Sequence, residues 1–212
     1  MARRGRPAIA DRALIDEAAA ELFLEQGYPA TSADEIARRA GVSRSSFFNC
    51  VPSKPDVLWG AVDRAIAALE ERLEAEAADG PLGPRRIMEV LVDLARAATP
   101  DDVPWAVAHA DLMETREALL SSGMPRASRA AAAIAAALGA GPGAPSALGS
   151  IAALPARSFA AAATGAVIAA GSAWVRAGSE RPPLDDLVEA ALAPLDGGWP
   201  GLEPGADRRT GG

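Results

Sequence analysis

One short helix in the sequence presents side chains that can bind the edges of nucleic-acid bases. The helix is predicted to begin after Ser43, and Phe47 and Val51, four residues apart, form its apolar side. The opposite side carries Arg44, Ser45, Phe48 and Asn49. Guanidinium, hydroxyl and carboxamide groups form hydrogen bonds with base edges in a DNA major groove. The pattern therefore predicts a helix that enters a major groove with its N-terminal residues closest to the bases.

Two helices joined by a tight turn are predicted to position this polar face. The segment Ser32-Ala-Asp-Glu35 has the form of a capping box and opens a helix that runs to Ala40. Gly41 ends that helix, Ser43 caps the next one, and Pro52 ends it. The contacts between the two helices are expected from Ile36, Ala37, Ala40 and Val42. This arrangement is that of a helix-turn-helix motif.

Longer helices are predicted on both sides of the motif. Residues 11–26 have apolar side chains at helical spacing, and Gly27 is placed to end that helix. After the motif, Pro55 can occupy the first turn of a long helix that extends to about Ala78. The motif is therefore expected to form a three-helix unit with the helix over 11–26.

Positive charge is concentrated near the motif although the whole chain has a net charge of −7. Residues 1–58 contain eight basic and eight acidic residues, so the negative charge belongs to the remainder of the chain. Between Arg38 and Lys54 there are four basic residues and no acidic one, and residues 1–12 have a charge of +3. A polyanion would meet these segments rather than the average charge of the protein, so the acidity does not exclude DNA as a partner.

The motif and the helix before it resemble the DNA-binding region of TetR-family regulators. The matching positions are Ile15, Ala18, Ala19, Leu22 and Phe23, then Gly27-Tyr28, the stretch Ile36–Ser43, and Ser53-Lys54. The resemblance implies an all-α fold, in which an N-terminal three-helix helix-turn-helix DNA-binding domain is followed by a helical-bundle ligand-binding and dimerisation domain. It also implies a transcriptional regulator that binds a double-stranded DNA operator.

Carried over position by position, the resemblance implies a set of DNA-contacting residues. The predicted set is Thr31, Ser43, Arg44, Ser45, Ser46, Phe48, Asn49 and Lys54, with Lys54 on a phosphate. Phe48 departs from the family pattern because a tyrosine that hydrogen-bonds a phosphate is usual there. Cys50, Val51 and Pro55 also replace the usual residues. The operator sequence therefore cannot be transferred from relatives.

The remainder of the chain is predicted to be a helical body. The predicted organisation is a basic arm at 1–10, the DNA-binding domain at 11–58, the body at 59–196 and a disordered tail at 197–212. Within the body, helices are expected near 85–98, 103–121, 126–138, 155–177 and 184–195, with a Gly/Pro-rich loop at 139–149. The Ala/Gly/Ser-rich helix 155–177 permits close helix packing, so it is expected to form a homodimer interface with 184–195, although a core helix of a single chain would have the same composition.

A ligand pocket in the body is a further prediction. Its candidate lining residues are Met88, Leu91, Trp105, His109, Met113, Phe159 and Trp174, and each of the large apolar ones fits a core position equally well. The stretch from Ser46-Phe-Phe to Gly60 resembles a TetR subgroup that includes mycofactocin-type regulators, whose bodies bind long-chain acyl-CoA. A small apolar effector, with acyl-CoA-like molecules as one class, is therefore expected to release the protein from DNA as a repressor; activation by the same fold is the alternative.

Other functional classes have less support in the sequence. The single histidine and single cysteine leave no metal-ligand cluster or catalytic relay, so no enzyme activity, metal or cofactor is expected. Residues 158–175 carry no charge, but their Ala, Gly and Ser content favours a buried helix over a membrane span, and a cytoplasmic location is expected. Cys50 is interpreted as a packing residue rather than a redox switch. A helical adaptor that binds protein instead of DNA remains a further alternative.

Overall fold

The computed structural model describes residues 8–99, 102–140 and 151–197, and its regular elements are helical throughout these ranges. The all-α fold class is thereby confirmed. The helices are α1 (Ala8–Gln26), α2 (Ala33–Arg39), α3 (Arg44–Cys50), α4 (Gly60–Glu76), α5 (Pro84–Arg96), α6 (Trp105–Ala108), α7 (Arg116–Ala135), α8 (Leu154–Arg176) and α9 (Leu184–Leu192). A 3₁₀ turn over Lys54–Trp59 precedes α4, and further short turns follow α7 and flank α8 and α9. The predicted arm up to residue 7, loop residues 141–150 and the tail from 198 lie outside the described residues.

The region around Pro125 differs from the prediction. Two helices separated by Pro125 were expected at 103–121 and 126–138, whereas α6 has four residues and α7 runs from Arg116 through Pro125 to Ala135. A proline inside a helix removes one backbone hydrogen bond, and an alanine-rich run after it favours continued helix. The break occurs instead before Thr115, whose Oγ1 donates to the carbonyl oxygen of Ala106 at 2.7 Å.

The described chain divides into two compact units that are not contiguous in sequence. Unit 1 consists of 1–63 and 101–124, and unit 2 consists of 64–100 and 125–212. The predicted boundary at residue 58 therefore differs from the observed division, because Ala106 and Met113 belong to the apolar core that α1, α2 and α3 share. Ala106 and Met113 lie within the predicted body at 59–196, so their position in the sequence did not indicate that they pack with α1, α2 and α3.

The core of unit 1 is built around α1. Its fully buried large side chains are Ile15, Phe23, Ile36, Phe47, Val51, Val57 and Met113. The Phe23 ring meets the edge of Tyr28 with a centroid distance of 5.1 Å and lies 5.9 Å from Trp105. Aromatic pairs of this geometry add to the free energy gained from apolar burial. In unit 1, α2 and α3 thus pack with α1 in one continuous apolar core.

The core of unit 2 is formed mainly by α5, α8 and α9. Its fully buried residues include Ile87, Val90, Ile134 and Phe159. By length and composition the segment Ile151–Arg176, which contains α8, could cross a membrane. The same composition is found in core helices of soluble proteins, and Phe159 together with four alanines of α8 is buried in this core.

Candidate nucleic-acid interface

The start of α2 is fixed by a complete capping box, as predicted. The backbone N–H of Glu35 donates to Ser32 Oγ at 3.2 Å, and the backbone N–H of Ser32 donates to Glu35 Oε2 at 2.7 Å. Hydrogen bonds from Ser32 to this carboxylate lower the pKa of Glu35. The acidic residues in the first turn also interact favourably with the helix dipole. The capping box therefore fixes the residue at which α2 begins.

The turn between α2 and α3 depends on Gly41. Its φ is +68°, a left-handed conformation that costs residues with a Cβ atom free energy. The N–H of Gly41 donates to the carbonyl of Arg38 at 3.2 Å, and the N–H of Val42 donates to that of Ala37 at 3.0 Å. These two bonds form a Schellman motif. The predicted helix end at Gly41 is confirmed.

Ser43 then caps α3, also as predicted. Its Oγ accepts from the backbone N–H of Ser46 at 3.0 Å and lies 2.9 Å from the hydroxyls of Ser45 and Ser46. Of the predicted DNA-contacting residues, Ser43, Ser45 and Ser46 therefore have hydroxyls that already form hydrogen bonds with one another at the start of α3. The Ser45 side chain is exposed on the same turn.

The buried side of α3 determines which side chains face outward. Phe47 and Val51 have no exposed surface and pack in the unit 1 core with Ile36 and Ala37 of α2. On the other side Arg44, Ser45 and Asn49 are exposed, and Phe48 is 37% exposed. The structure thus brings the four predicted base-contacting side chains to one accessible face, while contact with DNA itself stays a prediction.

Acidic residues from outside the basic segment neutralise part of its charge. Arg39 donates to Glu21 at 3.0 Å and to Glu25 at 2.7 Å, and its guanidinium lowers the pKa of Glu25. Arg44 forms an ion pair with Asp34. The sequence argument from an acid-free strip missed these pairs because the partners lie ten or more positions away. The exposed pairs of Arg39 are weak enough to be exchanged for a phosphate.

Lys54 is held against Tyr28. Its Nζ donates to the Tyr28 carbonyl oxygen at 2.6 Å and lies 3.8 Å from the centre of the Tyr28 ring. Burial lowers the pKa of Lys54. An ammonium group has three N–H donors, so the predicted phosphate contact would use those not directed at Tyr28.

Thr31 is placed differently from the prediction. It is only 2% exposed. Its Oγ1 donates a hydrogen bond to the Gly27 carbonyl oxygen at 2.9 Å, and Thr31 Oγ1 also accepts one from Gln26 Nε2 at 3.2 Å. A buried hydroxyl with both a donor and an acceptor partner connects α1 to the start of α2. The Thr31 side chain therefore has a structural role in this conformation, and a DNA contact from Thr31 stays a prediction.

Comparison with known proteins agrees with this geometry. Residues 15–58 match the model of the family described as bacterial regulatory proteins, tetR family. Residues 15–58 are thus similar to the N-terminal domain of TetR-family proteins. The matched residues run from the buried Ile15 of α1 to Leu58 in the turn before α4, and they include the complete helix-turn-helix motif.

One curated protein and two solved structures are also similar to this chain. A protein of Mycobacterium tuberculosis, named as a candidate mycofactocin biosynthesis transcriptional regulator (MftR), is 37% identical over 60 residues, which is 28% of this chain and 30% of that protein. Thermus thermophilus FadR, a TetR-family repressor solved with lauroyl-CoA, is 25% identical with a TM-score of 0.47 and covers 95% of this chain and 100% of its own. NalD of Pseudomonas aeruginosa, the secondary repressor of the MexAB-OprM multidrug efflux pump, is 19% identical with a TM-score of 0.49 over 88% of this chain and 93% of its own. At these TM-scores neither solved structure informs the ligand of this chain.

The residues predicted to line a ligand pocket are divided between the two units. Three of them, Trp105, His109 and Met113, belong to unit 1 together with residues 15–58, and there Met113 is 1% exposed in the core and His109 is exposed. The other four, Met88, Leu91, Phe159 and Trp174, belong to unit 2. Leu91 and Phe159 lie in its core with Met88 half-buried beside them.

Trp174 has a separate environment near the end of α8. Its Nε1 donates to the Pro182 carbonyl oxygen at 3.0 Å, and the Arg181 guanidinium lies 5.0 Å from its ring centre. Met88, Leu91 and Phe159 therefore remain the candidate pocket residues in the core of unit 2.

The described residues contain no group of three or more His, Cys, Asp or Glu placed to hold a metal ion.

Proposed function

We propose that the protein is a ligand-responsive transcriptional repressor that binds a palindromic operator as a homodimer. The observation that carries the proposal is the exposed polar face of α3. The Gly41 turn and the Ser43 cap fix this face, and its buried side is anchored by Phe47. A helix held in this way can enter a major groove as a rigid element.

DNA binding is tested with DNA from the gene neighbourhood of the protein, in shift assays at two salt concentrations. We expect sequence-specific binding that weakens with salt, because basic side chains that contact phosphates release counterions. Arg44→Ala and Asn49→Ala are expected to reduce specific affinity by about 10-fold each, within the usual range for a lost base contact. Arg85→Ala, which removes the same charge from an 83% exposed side chain in unit 2, is the matched control. A wild-type protein without sequence preference would contradict the proposal.

The outward face of α8 supports the homodimer. Leu154 is 53% exposed and Ile168 is 52% exposed, and a Cβ atom built on Gly165 would meet nothing within 4 Å. Two copies of such a helix can approach closely at the glycine and bury the leucine and isoleucine. With α9, this face is the proposed interface.

Gly165→Leu separates folding from association. Because the site is open within one chain, the substitution is accommodated by the monomer and gains helix propensity. At a close helix contact in a dimer, the same side chain would clash. We expect a monomeric, folded variant in sedimentation experiments with weaker operator binding, whereas an unchanged dimer would exclude α8 as the interface.

An apolar effector is proposed for unit 2. Leu91 and Phe159 are buried in its apolar core, and the half-buried, adaptable Met88 packs against that core. A ligand releases the operator only if it binds the DNA-free form more tightly than the bound form. Palmitoyl-CoA is the first probe because of the resemblance to the acyl-CoA-binding subgroup, with free CoA as the control. Release by palmitoyl-CoA and not by CoA would support that class, and no binding of palmitoyl-CoA would exclude it.

A further inference from the structure

The guanidinium of Arg44 is supported from two directions. Its Nη1 donates to both carboxylate oxygens of Asp34, which lies in the first turn of α2. Its central carbon lies 5.3 Å from the centre of the Phe48 ring, one helical turn along α3. An exposed arginine normally samples many rotamers, and ordering it costs free energy on binding. The two contacts restrict Arg44 before any DNA is present.

Both supports are connected to the unit 1 core. Phe48 meets the buried Phe47 ring edge to face, with centroids 5.1 Å apart and an interplanar angle of 85°. Asp34 lies two residues after Ser32, whose capping box fixes the start of α2. The position of Arg44 is thus determined by two helices rather than by its own backbone alone.

One edge of the guanidinium remains available. Both contacts to Asp34 use Nη1, and no described residue accepts a hydrogen bond from Nε or Nη2 of Arg44. Two parallel N–H donors on an arginine edge match the O6 and N7 acceptors that guanine presents in the major groove. A phosphate could use the same donors, but it would not require a fixed plane beside an aromatic ring.

We propose that Asp34 and Phe48 position Arg44 to bind one guanine in each operator half-site. The inference rests on the proposed DNA binding and deepens it. Arg44 is the contacting residue, Asp34 and Phe48 are positioning residues, and each half-site contains one guanine whose O6 and N7 accept from Arg44. Asp34 carries negative charge close to the DNA, so it lowers the overall DNA affinity. By positioning Arg44 it raises the selectivity for guanine.

The experiment uses the full-length protein and the operator found in the binding assay above. Each guanine of one half-site is replaced in turn by 7-deazaguanine, which lacks the N7 acceptor but keeps Watson–Crick pairing. Inosine is the matched control because it keeps both O6 and N7. We expect one position at which 7-deazaguanine lowers affinity about 5-fold, from the loss of one hydrogen bond of a bidentate pair, while inosine leaves it within 2-fold. Arg44→Lys is expected to remove this difference.

Asp34→Ala then tests the positioning role. It removes a carboxylate, so overall DNA affinity is expected to rise, but the 5-fold discrimination at that guanine is expected to fall below 2-fold. Asp34→Asn keeps an acceptor for Nη1 and is expected to give an intermediate value. Glu17→Gln removes one exposed carboxylate of α1 that makes no ion pair among the described residues, so it reports the charge effect alone and should leave the discrimination unchanged.

Two results would overturn the inference while leaving the proposed function intact. The first is specific operator binding with no guanine sensitive to loss of N7. The second is an Asp34→Ala variant with higher affinity and full discrimination, which would make Asp34 only a competitor of the phosphates. A complete lack of specific binding would instead refute the proposed function.

Discussion

Replacement of Gly41 by alanine isolates the energetic cost of the helix-turn-helix turn. Gly41 has a φ of +68°, and a Cβ atom added there would meet nothing within 4 Å. The cost therefore contains no steric contribution from neighbouring residues and consists of the left-handed backbone conformation, about 1–2 kcal/mol. For a chain of this size each kcal/mol lowers the melting temperature by about 2–4 °C. We expect Gly41→Ala to lower it by about 2–8 °C.

The measurement is thermal unfolding followed by circular dichroism, with operator affinity determined below the transition. Gly41→Asn is the matched control, because asparagine adopts the left-handed conformation more readily than alanine. It should lie between the wild type and Gly41→Ala in melting temperature. A Gly41→Ala protein that melts with the wild type, or an asparagine variant as unstable as the alanine one, would refute the assignment of the cost to the backbone.

Three further changes test contacts within unit 1 and contacts within unit 2. Thr164 Oγ1 is buried without a hydrogen-bond partner in the described part of the chain, so Thr164→Val should raise the free energy of unfolding by about 1 kcal/mol in denaturant titrations; a loss of stability would reveal a partner. Ser43→Ala removes the cap of α3 and should lower the same quantity by about 1 kcal/mol, whereas Ser45→Ala, on the exposed face, should change it little. The pKa values of Glu25 and Glu76 are lowered by their arginine partners, so their stabilising effect is present above the ordinary pKa of 4.5 and is lost as the pH falls through the lower folded-state values. Melting temperatures should therefore decline below about pH 4.5, and Glu25→Gln or Glu76→Gln should make that decline shallower; an equally steep decline in both variants would contradict this origin.

The local signals of the DNA-binding domain were readable from the sequence. The capping box of Ser32 and Glu35, the left-handed Gly41 and the Ser43 cap each act over four residues or fewer, so their types and spacing determine the structure. The exposed face of α3 followed from the same spacing, because Phe47 and Val51 had to be buried.

Long-range contacts were not readable in the same way. From the sequence alone, Asp34 could equally have had no ion-pair partner, because its pairing with Arg44 depends on how α2 and α3 pack. Thr31 has the residue type of a DNA contact, but its burial against Gly27 depends on the path of the chain after α1. The helix through Pro125 shows that a single proline signal can be outweighed by its alanine-rich surroundings.

The presence of Ala106 and Met113 in the unit 1 core affects how unit 1 can be transplanted to another protein. The backbone N–H of Tyr28 donates to the Met113 carbonyl oxygen at 2.8 Å, so a fragment that ended at residue 63 would lose this acceptor together with two core side chains. A chimeric regulator made by joining residues 1–63 to a foreign sensor would expose the apolar surface that Met113 covers. A functional graft would carry the segment 101–124 together with residues 1–63, and a sensor for new ligands would be joined at three junctions (after residue 63, before residue 101 and after residue 124) rather than at one.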